Sequence, residues 1–435
     1  MWVIFTQEKI VRIKIANGRI IDPANKLDKK GDLYIADSEI IATGTKPGGF
    51  TADRVIKADK QIVMPGLVDL SARLREPGEE YKANIDSETT AAAASGITSL
   101  CCPPDTIPVI DSSSVVELIL QRTLDANKSN VYPLGAMTSG LKGESLAEMW
   151  ELKSAGCVGV SNGYVPIENT EVLRRGLEYA STCNLTVHLF CEDSFLQNNG
   201  VAHEGIMNIR LGLPAIPETA ETVIISKVLL LLEQCDTRVH FCRISSRRGL
   251  ALIAEAKRQG LQITADVAIT HLHLTEIDLD NFNSLCHLRP PLRGQGDKEA
   301  LINGVAEGII DAICSDHQPH EMDAKAAPFS MTDPGASTID CLLPLSLQLK
   351  NGIGIDRVIE SLTVKPARIL GIEAGTLTPG CKADICIYDP EKNWTVSDNT
   401  IYSAGKNTPF NGWEIAGRVT RTLLAGNEVF SVDNT

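Results

Sequence analysis

The sequence has no excess of basic residues, no Cys-x-x-Cys pair and no apolar run long enough to cross a bilayer. Its 435 residues carry 55 acidic and 41 basic side chains, which gives a net charge of −14. Such a chain has no positive field with which to attract nucleic acid or an anionic membrane. Its 12 cysteines stand mostly in apolar runs, which indicates buried, reduced thiols rather than a disulfide framework.

Two apolar runs could be taken for a membrane span or a signal peptide, but both are too short. Residues 223–232 form the most apolar segment, but the segment contains a lysine and is well below the roughly 20 residues that a membrane span requires. Residues 2–5 are too few to form the apolar part of a signal peptide. We therefore expect a cytoplasmic protein without a membrane partner.

The sequence does contain an alternation of short, β-rich apolar runs with amphipathic segments. Eight runs are typical of strands: residues 62–70, 97–103, 131–137, 157–162, 185–191, 238–245, 262–269 and 311–316. Between them, apolar residues recur three to four apart, and several segments end in the glycine expected just past a helix. Continuous apolar strands separated by helices indicate a parallel sheet covered on both faces. Eight such units predict an α/β fold, a (β/α)8 TIM barrel over residues 62–371; an open doubly wound sheet is the alternative.

Both ends of the chain have a different pattern. Residues 1–61 and 372–435 contain short alternating strands with turn sequences such as Asn-Gly and Gly-Asp. Each end is too short for a core of its own, so we expect the two to form one small β-sandwich beside the barrel. Residues 320–338 show little periodicity, which is typical of a lid or a binding loop.

Several long segments of the chain resemble dihydroorotase, a family of the amidohydrolase superfamily. They include "LREPGEE", "CPPDTIPVIDS", "CEDSFL", "RPPLR", "ICSDHQPH" and "KNTPFNGWEIAGRV", and the resemblance extends over nearly the whole chain. It implies a barrel with a split sandwich. It also implies a zinc site at the C-terminal ends of the barrel strands, where the active sites of this fold lie.

The residues at the implied metal-ligand positions are unsuited to holding a cation. The six positions correspond to Ser71, Arg73, Ser161, Phe190, Arg243 and Asp316. Only the aspartate matches the family's ligand. Arginine has no lone pair to offer and is always positive, so it would repel a metal ion. We therefore expect no metal here, and we expect at least one arginine to pair with Asp316, because a lone buried carboxylate is costly.

The implied substrate positions are partly kept. Arg75 matches an arginine that holds a substrate carboxylate, and His271 matches a histidine near the substrate ring. Asp105 and Arg289 replace two asparagines, and Asp105 would repel an acidic substrate. His320, in the long loop, is expected to support that loop rather than to bind a metal, and His317 is expected to do the same.

The resemblance is closest to non-catalytic dihydroorotase-like proteins, which hold trimers of bacterial aspartate carbamoyltransferase in a larger assembly. It implies an inactive subunit with an assembly role in pyrimidine biosynthesis. It implies no catalytic residue, metal or cofactor. The expected partners are the catalytic chain of aspartate carbamoyltransferase and a second copy of this chain, in a dimer.

Two other functions stay open. An active zinc-dependent dihydroorotase or related cyclic amidase would need a rearranged metal site, for which His188, His240 and Asp316 are the candidates. A non-catalytic binder of carbamoyl aspartate-like ligands would use Arg75 and Arg289.

Overall fold

The computed structural model describes residues 11–432, so the apolar run at residues 2–5 lies outside the described residues. The described strands are β1 Ile13–Asp22, β2 Leu27–Ala36, β3 Glu39–Thr43, β4 Arg54–Lys57, β5 Ile62–Pro65, β6 Leu67–Asp69, β7 Ile97–Cys102, β8 Asn130–Ala136, β9 Gly159–Ser161, β10 Thr186–Phe190, β11 Ala202–His203, β12 Ala215–Ile216, β13 Val239–Cys242, β14 Ile263–Ala268, β15 Ala312–Cys314, β16 Ile385–Thr395, β17 Glu414–Leu424 and β18 Asn427–Ser431.

Helices separate the central strands, as the amphipathic segments predict. They are α1 Ile85–Ala94, α2 Ser113–Ala126, α3 Met149–Ala155, α4 Thr170–Thr182, α5 Ser194–Gln197, α6 Ile206–Leu211, α7 Thr219–Leu232, α8 Arg247–Arg258, α9 Ile269–His273, α10 Gln295–Glu307, α11 Leu342–Gln348, α12 Lys350–Ile353, α13 Ile355–Leu362 and α14 Val364–Leu370. The apolar run at residues 223–232 lies within α7. None of the helices within the described residues could span a membrane.

Eight parallel strands form the barrel, which confirms the predicted fold. Their order is β6, β7, β8, β9, β10, β13, β14 and β15. A parallel bridge between Ala72 and His317, just beyond β6 and β15, joins the two outer strands. Backbone hydrogen bonds from His317 to Ser71 and from Arg73 to His317 support this junction. The ends of the first and last strands therefore meet where the candidate site lies.

Eight further strands form one sheet drawn from both ends of the chain, and β11 and β12 pair with each other in a small third sheet. The order in the eight-stranded sheet is β18, β17, β16, β5, β1, β2 and β3, with β4 paired to β1. A separate apolar core contains residues from both ends, including Ile15, Leu33, Ile385 and Leu423. The two ends thus fold together as expected, although their strands are hydrogen-bonded in one continuous sheet.

The predicted first barrel strand, residues 62–70, is two strands in the structure. β5 pairs with β1 and β16 of the terminal sheet, and only β6 pairs with β7 of the barrel. Gly66 lies between them, and a Cβ at this position would be 2.2 Å from Oγ1 of Thr98. The barrel therefore begins at β6. Thr98 leaves no room for a side chain at residue 66, where the chain passes from the terminal sheet into the barrel.

Candidate functional site

The predicted ligand positions lie together at the C-terminal ends of the barrel strands. Ser71 and Arg73 follow β6, Arg243 follows β13 and Asp316 follows β15, while Ser161 and Phe190 end β9 and β10. We call this group, with Tyr164, the barrel mouth. Arg243 and Asp316 have positive φ angles of 55° and 48°, a left-handed conformation that non-glycine residues seldom adopt outside constrained sites.

Asp316 is the centre of an ion-pair cluster. Its Oδ1 lies 3.2 Å from Nη1 of Arg243 and 3.6 Å from Nη1 of Arg73. Ser71 donates its hydroxyl to the same oxygen at 3.3 Å, and Gln318 donates to Oδ2 at 3.2 Å. The expectation that an arginine pairs with Asp316 is confirmed, and both arginines do so.

Arg73 has a second carboxylate partner that the sequence analysis did not assign to it. Its Nε and Nη2 donate to Oδ2 of Asp105 at 2.9 and 2.8 Å. Asp105 was expected to face an acidic substrate. In the structure its charge is instead neutralised by a guanidinium that is only 6% exposed.

Tyr164 is a mouth residue that sequence reasoning missed. Its ring centroid lies 4.4, 4.8 and 4.9 Å from the guanidinium carbons of Arg73, Arg243 and Arg289. Phe190 packs edge-on against it at 4.8 Å. Such positions are favourable for cation–π interaction, so one aromatic ring holds three arginines around it. Its place two residues after Asn162 at a strand end is the signal that could have found it.

Hydrogen bonds fix Tyr164 in the mouth. Its hydroxyl accepts from Nε2 of Gln318 at 2.8 Å and donates to the carbonyl of Arg289 at 2.9 Å. Burial raises the pKa of the Tyr164 hydroxyl, so the ring stays neutral at physiological pH. The neutral Tyr164 ring therefore fills the space between the three arginines.

The two arginines expected to grip a substrate are already occupied. Nε of Arg289 donates to Glu192 at 2.6 Å. Arg75 donates from Nε to the carbonyl of Pro319 at 2.9 Å and from Nη1 to Glu79 at 2.8 Å. Arg75 and Arg289 are thus both hydrogen-bonded within the protein, and their use by a ligand stays a prediction.

The two histidines expected near a substrate are buried among protein groups. His271 contacts Oγ1 of Thr270 at 3.1 Å and the carbonyl of Pro291 at 3.3 Å, and burial lowers its pKa to about 4. His320 lies 3.1 Å from Nη2 of Arg75, and burial together with that charge lowers its pKa to about 2. Both imidazoles are therefore neutral.

Charges at the mouth and in the adjoining loops are balanced. Arg73, Arg75, Arg243 and Arg289 face the carboxylates of Glu79, Asp105, Glu192 and Asp316. Among the cavities lined by described residues, the one that includes Phe190 and Glu192 has a volume of about 30 Å³. That cavity lies behind Phe190, against α4 and α7, and is lined by none of the mouth arginines.

The donor set at the mouth does not fit a zinc ion. Zinc in hydrolases needs imidazole or carboxylate ligands and an open position for water. Only Asp316 offers such a ligand here, and two guanidiniums already lie against the oxygen that would coordinate. A cation at this place would face two fixed positive charges.

A layer of buried carboxylates lies beside the mouth and holds the strand ends; we call it the supporting layer. Asp69 accepts from the amide of Ser315 at 2.9 Å and also from its hydroxyl. Glu88, on α1, lies 2.6 Å from Nε2 of His317. Glu221, on α7, accepts from the amides of residues 245 and 246 at 3.0 and 3.1 Å. Sequence reasoning missed all three acids: Asp69 ends β6, and Glu88 and Glu221 lie in the first turns of α1 and α7.

Burial and pairing have opposite effects on these acids. Burial raises the pKa of Asp69 to about 6, although its hydrogen bonds to Ser315 and Ser71 favour the charged form. Burial also works to raise the pKa of Glu88, but the hydrogen bond and charge of His317 outweigh it and hold that pKa below its ordinary value. Glu88 is therefore ionised at neutral pH and accepts a hydrogen bond from Nε2 of His317.

The alternative metal set of His188, His240 and Asp316 is not brought together. His188 and His240 are register partners on β10 and β13, with ring centroids 5.1 Å apart. The third possible ligand grouped with them within 4.8 Å is Cys242 rather than Asp316. Asp316 is instead held by the mouth arginines.

Comparison with known proteins identifies relatives over the full length of the chain. A family model described as dihydro-orotase-like matches residues 60–249, and an amidohydrolase family model matches residues 239–429. A dihydroorotase-like protein of Pseudomonas aeruginosa is 46% identical over 417 residues, covering 95% of this chain and 98% of the relative. A dihydroorotase of Syntrophus aciditrophicus is 38% identical over 426 residues, covering 97% and 100%.

The fold also matches solved structures. The L-hydantoinase (dihydropyrimidinase) of Arthrobacter aurescens superposes with a TM-score of 0.86 over 96% of each chain, at 22% identity. A dihydropyrimidinase from Brevibacillus agri gives a TM-score of 0.81 at 20% identity, covering 97% of this chain and 95% of the other. At these identities the likeness concerns the barrel and its terminal sheet.

Proposed function

The chain belongs to the dihydroorotase family of the amidohydrolase superfamily, and we propose that it is a catalytically inactive member of that family. In this proposal it is a subunit that assembles with the catalytic chain of aspartate carbamoyltransferase in de novo pyrimidine biosynthesis. The partner is proposed from the resemblance of the sequence to non-catalytic dihydroorotase-like subunits. A dimer of this chain is part of the same proposal.

One observation carries the proposal of inactivity: the 3.2 Å contact between Nη1 of Arg243 and Oδ1 of Asp316, with Arg73 on the same oxygen. A family hydrolase needs a metal to polarise the ring amide and to turn bound water into a nucleophile near neutral pH. Here that carboxylate neutralises arginines instead. With two guanidiniums against the one carboxylate that could act as a ligand, the mouth does not fit the metal that such hydrolysis requires.

The surrounding residues favour a structural role for the barrel. Tyr164 fills the space between the arginines, and the supporting layer fixes the ends of the strands. A subunit whose task is to hold other chains needs a rigid body of this kind, whereas its former pocket is free to change. The relatives at 46% and 48% identity carry the name dihydroorotase-like protein, and several at 38% are named dihydroorotase.

The partner is tested by co-expression of the full chain with the aspartate carbamoyltransferase catalytic chain of the same organism, followed by size-exclusion chromatography with light scattering. We expect a complex larger than either protein alone, with this chain in stoichiometric amount. The variant Arg243→Met should assemble equally well, because assembly in this proposal does not use mouth chemistry. Separate elution of the two folded proteins would contradict the assembly role.

A second candidate, binding of an acidic ligand, is favoured by two buried donors. Among the described residues, Nη1 of Arg73 and Nε of Arg243 have no hydrogen-bond partner, although Nη1 of Arg73 lies 3.6 Å from Asp316, and buried donors without a hydrogen bond are costly. A ligand carboxylate that displaced Tyr164 could satisfy both. The donors are thus those of Arg73 and Arg243 rather than the expected Arg75 and Arg289.

Thermal unfolding separates this candidate from a purely structural subunit. A ligand that binds only the folded chain raises the melting temperature with concentration. Carbamoyl aspartate and dihydroorotate are the test ligands, and uncharged dihydrouracil is the matched control. A rise with the acids alone, lost in Arg243→Met, would support binding, and equal melting curves would contradict it.

A further inference from the structure

A second group of possible ligands lies inside the barrel, on the two neighbouring strands β10 and β13. His188, His240 and Cys242 each offer one ligand atom, and these atoms lie within 4.8 Å of one another. His188 and His240 are register partners, and Cys242 pairs in register with Phe190, which belongs to the mouth. The two histidines are therefore two residues deeper than Phe190 while Cys242 lies level with it, and the group shares none of the positions that the family resemblance implies.

His188 is the observation that points to a ligand. The residue is 1% exposed, and neither of its ring nitrogens has a hydrogen-bond partner. Buried polar groups are almost always hydrogen-bonded, and an exception calls for an explanation such as an ion that is not seen. An imidazole with two unpartnered nitrogens next to another imidazole and a thiol is suited to metal coordination.

His240 is already oriented as metal-binding histidines usually are. Its Nε2 lies 2.9 Å from Oδ2 of Asp266, and its Nδ1 lies 2.8 Å from Oγ1 of Thr264. A carboxylate that accepts from one ring nitrogen leaves the lone pair on the other and fixes the ring plane. Ligation through Nδ1 would require the Thr264 side chain to rotate away, because its Oγ1 lies 2.8 Å from that nitrogen.

Cys242 supplies the soft ligand and decides which ions suit the group. Within residues 11–432, its thiol makes one hydrogen bond, a long contact of 3.8 Å to the carbonyl of His240. A metal binds the thiolate and releases the thiol proton. Two neutral imidazoles and one thiolate give a net charge of zero with a monovalent ion, which the arginines at the mouth above would not repel.

We propose that His188, His240 and Cys242 form a site for one soft, thiophilic d10 metal ion, with Cu(I) matching the charge and the three ligands better than Zn²⁺. Bonds of about 2.0–2.3 Å place three ligand atoms roughly 3.5 Å apart. The three side chains would thus move together by about 1 Å on binding. The site is structural: it ties β10 to β13, and Asp266, which contacts His240, also accepts from the amide of Arg243 at the mouth.

The experiment loads the full-length chain, expressed in metal-supplemented medium, and compares three metal probes separately. The probes are Cu(I) set against a chromogenic Cu(I) chelator, Zn²⁺, and Co²⁺ as a spectroscopic substitute for zinc. We expect close to one equivalent of Cu(I) per chain, a higher melting temperature than that of the metal-free chain, and sulfur and nitrogen neighbours in X-ray absorption. Co²⁺ should give a thiolate charge-transfer band if the divalent ion enters.

Variants decide whether these three residues are the ligands. Cys242→Ser should abolish the charge-transfer band and weaken Cu(I) binding at least tenfold, whereas Cys286→Ser, at a buried cysteine elsewhere, should change neither. His188→Leu should remove metal binding and raise the melting temperature of the metal-free chain, because it replaces an unpartnered imidazole by an apolar side chain. Failure to bind Cu(I), preferential binding of Zn²⁺, or binding that survives Cys242→Ser would overturn the proposal.

This test is independent of the proposed function. If His188, His240 and Cys242 bind metal and the chain does not hydrolyse dihydroorotate, the metal site is supported and the inactive-subunit proposal is unaffected. Hydrolysis that survives Cys242→Ser would contradict inactivity without touching the metal site. Failure of one proposal is therefore distinguishable from failure of the other.

Discussion

The barrel mouth and the supporting layer beside it differ in how they use charge. At the mouth, arginines and carboxylates pair with each other at the positions where the family resemblance places zinc ligands. In the supporting layer, Asp69, Glu88 and Glu221 accept hydrogen bonds from the strand ends and helices around them. The barrel strands of this chain therefore pair in full although arginines stand at positions where the family resemblance places metal ligands. Charges can fill the mouth as long as the supporting layer holds the strands.

The largest effect is expected in the supporting layer. Glu88→Leu leaves His317 without its partner and the amide of Ala404 without its acceptor. Removing one member of a fully buried pair costs about 3–5 kcal/mol, so we expect a loss of unfolding free energy in this range by urea denaturation. Asp86→Leu, at an exposed position on the same helix, is the matched control and should change stability by less than about 0.5 kcal/mol. Similar losses for both variants would remove the distinction.

A smaller effect is expected at the mouth. Arg243→Met removes one of two arginines from Asp316, but Arg73, Ser71 and Gln318 still contact the carboxylate. We expect a loss of about 2 kcal/mol, below the cost of a buried charge left alone. The double variant Arg243→Met/Asp316→Leu should be less destabilised than Arg243→Met alone. Comparison of the double variant with both single variants in a double-mutant cycle measures the coupling of the pair. Additive losses would show that the two residues do not interact.

The neutral histidine bordering the mouth adds a pH dependence. The pKa of His271 is lowered from 6.5 to about 4 by burial, so the unfolded chain takes up a proton at a higher pH than the folded chain does. Stability from this group is therefore present above pH 6.5 and is lost as pH falls towards 4. Between pH 7 and 5 the loss is about 1.5–2 kcal/mol. His271→Gln should lose less stability over that interval, and parallel curves for the two proteins would contradict the assignment.

The smallest effect is expected from an attempt to rebuild the metal site in part. Ser71→His/Arg73→His restores the first two ligand positions, but Ser161, Phe190 and Arg243 still occupy three others. We expect no dihydroorotate hydrolysis above background with added zinc, measured by ring opening in the ultraviolet. Turnover by this double variant would show that the remaining ligands are assigned wrongly.

Much of this comparison could be predicted from the sequence where it depends on local pattern. Apolar periodicity was enough for the barrel, and the chemistry of arginine was enough for its pairing with Asp316. The division at Gly66 was missed because it depends on the approach of Thr98, 32 residues away. The pairing of Arg73 with Asp105 and the role of Tyr164 were missed for the same reason. Contacts between distant strand ends leave no trace in local periodicity.

The central claim is that the ion-paired mouth cannot support hydrolysis, and a rate measurement tests it most directly. The purified full chain is assayed with dihydroorotate and with carbamoyl aspartate, with and without added zinc and with and without the aspartate carbamoyltransferase catalytic chain. The account predicts no turnover above the uncatalysed rate under any of these conditions. Turnover that a chelator removes and that Asp316→Asn abolishes would contradict it.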